Sequence, residues 1–220
     1  MEQDEDVCQG SYCLTVTYKC NWKCDYCCVD THMQVEPTIE KVMSLAENIK
    51  PGTNVSFTGG EPGLMDENVL ITLLEKFESM NCTIGLSTNG LFFIKFPQYL
   101  HRFKNIMYHC SQDLKNKVWK PPGHENLNIK YLIVVTDKNF PRLEKFLDKN
   151  ADIEFAVYSA DFYMVNRKPG QSLSMKNRIT LYKEFKHRIR MDNLDYLFER
   201  VKYTKGCKDL IRLAPGFIKD

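Results

Sequence analysis

The sequence contains no long hydrophobic run. No apolar segment approaches the about eighteen residues that a membrane-spanning helix needs. The first residues, MEQDEDVCQG, are acidic where a secretory signal is basic and then apolar. Internal repeats, low-complexity segments and a convincing linker are also lacking. We therefore expect a cytoplasmic protein with no membrane contact, folded as one domain over residues 1–220.

A strong overall charge is lacking as well, because the net charge is only +2. The charge is nevertheless uneven: residues 165–220 hold fourteen Lys and Arg against six Asp and Glu, a net of +8, which leaves −6 for the rest. A solvated helix face is the ordinary explanation of such a run. The alternative is a surface for an anionic substrate, a nucleic acid or an acidic electron-transfer protein. Both explanations stay open at this stage.

Strand-like and helix-like segments alternate along the chain. Six segments rich in β-branched and aromatic residues predict strands at 11–18, 54–58, 82–88, 105–110, 128–136 and 152–159. Helical spacing of apolar residues predicts helices at 37–50, 66–80, about 97–103, about 140–149 and about 171–190. This alternation is typical of a parallel α/β sheet. The pattern alone allows either a partial barrel, two units short of the closed eight-stranded form, or a doubly wound sheet.

Unusual polar segments come directly after predicted strands. A cysteine-rich loop follows the first strand, GGEP (59–62) the second, STNG (87–90) the third and SQD (111–113) the fourth. The carboxyl ends of parallel strands lie side by side at one end of the sheet, where ligands bind in such folds. We therefore expect these four segments to form one site.

The chain has nine cysteines, an odd number clustered near one end, which argues against a disulfide framework. Cys20, Cys24 and Cys27 have the spacing C-x3-C-x2-C, and Cys28 is adjacent. Thiolates so close on one loop can bind a metal or an iron–sulfur cluster. Structural zinc usually needs four ligands, and a ferredoxin-like carrier needs four cysteines. A cluster on three cysteines leaves one iron open, which is a catalytic arrangement; the zinc module and the electron carrier remain the non-enzyme alternatives.

The stretch CNWKCDYC (20–27) resembles the signature of the radical S-adenosylmethionine (SAM) superfamily, with Tyr26 in the aromatic position of that signature. The GGEP stretch resembles the family's Gly-Gly-Glu motif, and the resemblance covers about residues 12–160. It implies an α/β fold, a partial (β/α)6 barrel, followed by a helical, basic segment at about 165–220. It also implies a [4Fe–4S] cluster on Cys20, Cys24 and Cys27. SAM would bind the open iron and be cleaved reductively to methionine and a 5′-deoxyadenosyl radical, which abstracts a substrate hydrogen.

The resemblance further implies how SAM is held. Its amino group would meet Gly59, Gly60 and Glu61, because glycines permit close backbone approach, and Pro62 would fix the turn that follows. Tyr26 would lie beside the cofactor. Candidates for contacts with the SAM carboxylate and ribose follow the third and fourth strands: Ser87, Thr88, Asn89, Ser111, Gln112 and Asp113. For Asn89-Gly90 a plain turn is the alternative.

Some cysteines and all catalytic groups stay unassigned. We interpret Cys28 as a neighbour of the cluster loop and not as a ligand, because choosing it instead of Cys27 would lose the family spacing. Cys8, Cys13 and Cys207 are given no role, and no residue is assigned as catalytic.

The resemblance implies how the radical is generated, but it does not identify the substrate. Peptide-modifying members often carry a cysteine-rich C-terminal extension, whereas only Cys207 follows Cys110 here. Glycyl-radical activases tend to carry a DGPG segment that this sequence lacks before its cysteine loop. We therefore expect an oxidoreductase or lyase that acts on a small molecule or a nucleotide-like compound, as the compact 7-carboxy-7-deazaguanine synthase-like members do. An activase or a peptide- or protein-modifying enzyme is the alternative. A flavodoxin- or ferredoxin-type electron donor is implied, and a nucleic acid partner is weighed from charge alone.

Overall fold

The computed structural model describes residues 11–27, 36–159, 173–185 and 187–190. In this part of the chain, one sheet contains seven strands, and each strand pairs in parallel with the next one in sequence. The strands are β1 (Ser11–Thr17), β2 (Asn54–Gly59), β3 (Thr83–Thr88), β4 (Asn105–Ser111), β5 (Ile129–Val135), β6 (Phe155–Ser159) and β7 (Ile189–Arg190).

Helices connect most of the strands. They are α1 (Ile39–Glu47), α2 (Glu67–Ser79), α3 (Leu91–Lys95), α4 (Leu143–Lys149) and α5 (Met175–Phe185). The two longer early helices begin at residues that cap them. The Asp66 carboxylate accepts the backbone N–H groups of Asn68 and Val69 at the start of α2, and the Thr38 hydroxyl accepts that of Lys41 at the start of α1. Such caps satisfy amides that have no partner within the helix.

The strand order confirms the predicted partial barrel. A doubly wound sheet would reverse its order at a switch point, whereas here the order in the sheet follows the chain from β1 to β7 without reversal. Among the described residues β1 and β7 are the two edges of an open sheet. All six predicted strands are present, and β7 is a two-residue addition that the sequence pattern did not predict.

The helices differ more from expectation than the strands do. The predicted helix at about 97–103 is a 3-10 helix, Pro97–Arg102, and α3, which precedes it, was not predicted. The predicted helix at about 140–149 begins as the 3-10 helix Phe140–Arg142 and becomes α-helical only in α4. Between β4 and β5 the structure has a long loop with one 3-10 helix, His124–Asn126.

The two faces of the sheet differ in polarity. On the helix-covered face, the Phe57 ring of β2 lies 5.9 Å from the ring of Phe77 in α2 and 5.8 Å from that of Phe103. Side chains alternate along a strand, so the opposite face of β2 and β3 carries Ser56 and Ser87. The apolar core therefore lies between sheet and helices, and in β2 and β3 the other face carries small polar groups.

Two further observations bear on the sequence predictions. Within the described residues, no helix has the length and apolar character needed to cross a membrane. Most of the basic segment 165–220 lies outside the described residues, which include only 173–185 and 187–190 of it. Its suggested role toward anionic partners therefore stays a prediction.

Candidate active site

The cysteine loop begins where β1 ends. The backbone N–H of Cys27 donates to the carbonyl of Cys24 (3.1 Å), and the N–H of Trp22 donates to the sulfur of Cys20 (3.4 Å). Burial raises the pKa of the Cys24 thiol to about 12; the nearby Cys27 and Cys20 thiols contribute to this rise, and a hydrogen bond with Tyr26 opposes it. The three predicted ligands thus lie close enough to affect one another's ionisation. Cys28 lies outside the described residues.

Glu36 closes the base of this loop. The Thr17 hydroxyl donates to one oxygen of the Glu36 carboxylate, and the backbone N–H of Tyr18 donates to the other (2.9 Å). The residue that ends β1 and the residue that precedes α1 by three positions are therefore joined directly. Glu36 could not be identified from the sequence, because nothing in its local sequence distinguishes it from a surface carboxylate.

Tyr26 attaches the loop to the end of β4. Its hydroxyl donates to the carbonyl of Ser111 (3.4 Å), and its side chain is also hydrogen-bonded to that of Cys24. Burial and the adjacent Cys24 raise the pKa of Tyr26 well above its usual range. Tyr26, the aromatic residue of the motif, therefore connects the cysteine loop to the end of β4.

Gly59 and Gly60 bring the end of β2 into direct backbone contact with the cysteine loop. The N–H of Gly60 donates to the carbonyl of Thr17, and the N–H of Glu61 to that of Lys19, both at 2.7 Å. A Cβ atom on Gly60 would lie 2.1 Å from the Lys19 carbonyl oxygen, and one on Gly59 2.4 Å from that of Thr17. Gly59 also has φ +116°, which favours glycine. The expected close approach thus occurs between two segments of the chain itself.

Glu61 is fully buried, with 0% of its surface exposed, and its carboxylate bonds to the chain. One oxygen accepts the Thr88 hydroxyl (2.7 Å) and the N–H of Gly63 (2.9 Å), and the other accepts the N–H of Asn89 (2.6 Å). Burial raises the pKa of this carboxyl group, while these hydrogen bonds act in the opposite direction. Glu61 therefore joins the ends of β2 and β3; its predicted contact with the SAM amino group stays a prediction.

Asn89 links the end of β3 to the cysteine loop. Its side-chain amide donates to the Cys20 sulfur (3.7 Å) and to the Asn21 side-chain oxygen (2.8 Å). Its own side-chain oxygen accepts the N–H of Leu91 (3.3 Å), and Gly90 has φ +104°. The turn at Asn89-Gly90 is therefore present, and its asparagine also contacts the loop.

Ser87 and Thr88 take different roles. Thr88 is buried and, besides donating to Glu61, accepts the N–H of Gly90 (3.0 Å). Ser87 lies on the opposite face of β3, where its hydroxyl oxygen is 3.2 Å from Nε2 of His109 in β4. Burial lowers the pKa of His109 to about 4, so its imidazole is neutral at pH 7. This pair faces the side of the sheet opposite the described helices.

The segment after β4 forms one wall of a cavity beside the cysteine loop. The Ser111 hydroxyl accepts the N–H of Leu114 (2.9 Å), whereas Gln112 and Asp113 line the cavity, whose volume is about 280 Å³. Tyr26 lines it from the loop side, and Thr136 lines it from the end of β5. Four basic side chains also contribute to its walls: Lys23, Lys115, Lys138 and Arg142.

The donor set of the loop suits an iron–sulfur cluster, because cysteine thiolates are the ligands that such clusters take. Within the described residues, no three Cys, His, Asp or Glu side chains are placed to hold a single metal ion. A [4Fe–4S] cluster binds each thiolate through a different iron, which suits Cys20, Cys24 and Cys27 spread along one loop.

The chain matches one family model and several known proteins. The family model of the radical SAM superfamily matches residues 14–121. Human molybdenum cofactor biosynthesis protein 1 is 34% identical over 92 residues, covering 38% of this chain and 14% of that protein. The GTP 3′,8-cyclase of Staphylococcus aureus (strain JH9) is 27% identical over 183 residues, covering 66% of this chain and 53% of that protein. The chain therefore spans about half the length of the cyclase.

Solved structures show the same fold. Native anSMEcpe with bound AdoMet has a TM-score of 0.57 at 19% identity, covering 89% of this chain and 67% of that one. The same protein with AdoMet and the Cp18Cys peptide has a TM-score of 0.55 at 18% identity. The family match over residues 14–121 and the motif-bearing loops identify this chain as a member of the radical SAM superfamily, whose enzymes use a [4Fe–4S] cluster and SAM.

Proposed function

We propose that Cys20, Cys24 and Cys27 hold the cluster and that the enzyme acts on a small, nucleotide-like substrate. The observation that carries the proposal is the contact of Asn89 with Cys20, Asn21 and Glu61, which joins the cysteine loop to the GGEP and STNG segments. When bound, the cluster and SAM supply a 5′-deoxyadenosyl radical that removes a hydrogen atom from the substrate.

The protein's own contribution is to hold the loop and to limit access of water. The Glu36 carboxylate accepts the N–H of Tyr18 at the start of the loop, and the Tyr26 hydroxyl donates to Ser111 at the end of β4. The backbone N–H of Gly60 donates to Thr17, which joins the end of β2 to the end of β1. We propose that Ser87, Gln112 and Asp113 contact SAM or the substrate. Ser87 lies on the face of the sheet opposite the described helices, and Gln112 and Asp113 line the cavity. An enclosed site protects a reactive intermediate from side reactions.

Two observations support a nucleotide-like substrate. Relatives of this chain are named GTP 3′,8-cyclase, and the cavity beside the cysteine loop has basic walls. Lys138 pairs with Asp25, and Lys115 pairs with Asp113 (2.8 Å). Lys23 and Arg142 add further positive charge to the same cavity. A phosphate group complements such a site, because charge-assisted hydrogen bonds to phosphate are strong.

We also propose a cytoplasmic enzyme served by a flavodoxin- or ferredoxin-type electron donor. Within the described residues, Cys13, Cys20, Cys24, Cys82 and Cys110 form no disulfide, and thiols stay reduced in the cytoplasm. A nucleic acid partner is supported only by the basic segment 165–220. The peptide-bound structural neighbour shares the fold at 18% identity and gives no support for a peptide substrate.

Anaerobic reconstitution with iron and sulfide tests the chemistry. With dithionite and SAM, the wild-type protein is expected to release 5′-deoxyadenosine and methionine in equal amounts. Cys27→Ala should lose both the cluster absorbance and the product. Cys28→Ala is the matched control one position away and should retain both. An intact, reducible cluster that yields no 5′-deoxyadenosine would contradict the proposed function.

The substrate class is tested by binding and by isotope transfer. GTP should bind the reconstituted protein more tightly than guanosine does, and Lys23→Ala should weaken GTP binding about threefold or more, as loss of a charged contact predicts. Lys41→Ala, an exposed lysine on α1, serves as the control. Deuterium from ring- or ribose-labelled GTP should appear in 5′-deoxyadenosine. Equal affinities for GTP and guanosine, with no transfer, would exclude this substrate class.

A further inference from the structure

The sulfur of Cys20 receives two N–H groups, and only one of them belongs to a side chain. The backbone N–H of Trp22 lies 3.4 Å from this sulfur, and the side-chain amide of Asn89 lies 3.7 Å from it. Asn89 is sixty-nine positions away in sequence, at the end of β3. The tertiary fold therefore brings Asn89 to Cys20, and substitution of Asn89 alone would remove this contact.

We propose that Asn89 is a positioning residue that tunes the cluster: its amide hydrogen-bonds the Cys20 thiolate and raises the reduction potential of the cluster bound there. This inference rests on the proposed function, because it takes Cys20 as a cluster ligand. Hydrogen bonds to the sulfurs are one of the means by which proteins set the potentials of such clusters.

The orientation of the Asn89 amide is fixed by its other contacts. Its side-chain oxygen accepts the N–H of Leu91 (3.3 Å), so the NH₂ group must point the other way, toward the cysteine loop. One N–H meets the Asn21 oxygen at 2.8 Å, and the other faces the Cys20 sulfur. Its backbone N–H is held by the buried Glu61 carboxylate at 2.6 Å. Asn89 is thus attached to β3 and α3 independently of the loop that it contacts.

The sign of the effect follows from charge. Reduction adds one negative charge to the cluster and its thiolates, so a donor N–H stabilises the reduced state more than the oxidised state. The contact between Asn89 and Cys20 is partly buried, and a hydrogen bond is stronger where water is partly excluded. Removing the donor should therefore make the cluster harder to reduce.

Three variants test the proposal through the midpoint potential of the reconstituted cluster, measured without SAM. Asn89→Ala should shift the reduction equilibrium three- to tenfold toward the oxidised state, which is about 28–59 mV for a one-electron couple. Asn89→Asp keeps an acceptor for Leu91 but replaces the donor with a negative charge, so its potential should be lower still. Asn21→Ala removes the other partner of the Asn89 amide and should keep the wild-type potential.

The possible results separate this inference from the proposed function. Wild-type potentials in both Asn89 variants would overturn the tuning role and leave the proposed function intact. A shift in Asn21→Ala equal to that in Asn89→Ala would mean that loop position sets the potential, which also overturns it. If both Asn89 variants fold with an unchanged melting temperature but bind no cluster, Asn89 is needed for assembly and not for tuning. A wild-type protein that binds no cluster would overturn the proposed function, and this inference with it.

Discussion

At the carboxyl ends of β2 and β3, Glu61, Thr88 and Asn89 bond to one another and to the cysteine loop. At the ends of β4 and β5, by contrast, Asp113 and Lys138 face a cavity and are held by ion pairs near the surface. The first region, which we call the internal rim, is buried and its polar groups are already satisfied. The second, the open rim, keeps polar groups available for a ligand. The difference is consistent with our proposal that the internal rim holds the cluster loop and the open rim selects what binds beside it.

The internal rim should be the more sensitive to single substitutions, and Gly60→Ala should have the largest effect. The added Cβ would lie 2.1 Å from the Lys19 carbonyl oxygen, which is backbone and cannot rotate away. Separating β2 from the loop also breaks two backbone hydrogen bonds of 2.7 Å. We expect the free energy of unfolding to fall by about 3 kcal/mol or more, with loss of cluster binding.

Gly123→Ala is the matched control for this prediction. Gly123 has φ +72° but nothing lies within 4 Å of an added Cβ, so only backbone strain of about 1 kcal/mol is expected. Thermal unfolding and iron content should be measured for both variants. Equal destabilisation by the two substitutions would show that the close approach at Gly60 is not what supports the loop.

Glu61→Gln should have the next largest effect. The Gln oxygen can still accept the Thr88 hydroxyl, but the amide nitrogen cannot accept the N–H of Asn89, which would be left unpaired. We expect a loss of about 1–3 kcal/mol in the free energy of unfolding, measured by denaturant titration. Glu75→Gln, at an exposed position on α2, should change stability little. A stable Glu61→Gln variant that cannot bind SAM would instead support the contact between Glu61 and SAM predicted from the sequence.

The sequence predicted the strands well, because β-branched and aromatic runs bounded by turn residues are a local signal. All six predicted strands are present, with bounds that differ by up to three residues. The five-residue α3 was missed because it starts after Gly90 without a side-chain cap and has no full period of apolar residues. The 3-10 helix Phe140–Arg142 likewise has no sequence pattern that separates it from an α-helix.

The location of the site could be predicted, but the partners of its residues could not. The motifs follow strands, and parallel strands bring their carboxyl ends together. Glu61, however, bonds to residues up to twenty-eight positions away, and Glu36 bonds to Thr17, nineteen positions away. No local pattern states whether a carboxylate will meet water, a ligand or the chain. The predicted SAM contacts of Ser87, Gln112 and Asp113 therefore remain predictions.

The face of the sheet opposite the described helices carries His109, and its contribution to stability should depend on pH. Burial lowers the pKa of His109 to about 4, below the value near 6.5 that it has when unfolded. Between these values the unfolded chain binds more protons than the folded one, so stability is lost as the pH falls. Relative to His109→Gln, the wild-type protein should lose about 1–3 kcal/mol between pH 6.5 and pH 4.

The exposed His101→Gln variant is the control for this pH profile. Urea unfolding at several pH values measures both variants against the wild-type protein. A wild-type profile parallel to that of His109→Gln would mean that the pKa of His109 is the same in the folded and the unfolded chain. The Ser87–His109 pair would then carry a positive charge below about pH 6.5.

The open rim should tolerate substitution best. The ion pair of Lys138 with Asp25 has side chains that are 67% and 44% exposed, and such pairs contribute about 0–1 kcal/mol. Lys138→Ala should therefore leave the melting temperature nearly unchanged while it weakens GTP binding. Lys120→Ala breaks a comparable pair with Asp152 (2.6 Å). Asp152 precedes β6 and so lies at the amino ends of the strands, away from the open rim. This variant should leave GTP binding unchanged. If Lys138→Ala destabilises the fold as much as Glu61→Gln does, the open rim is a structural element like the internal rim, and the division between a holding and a selecting region fails.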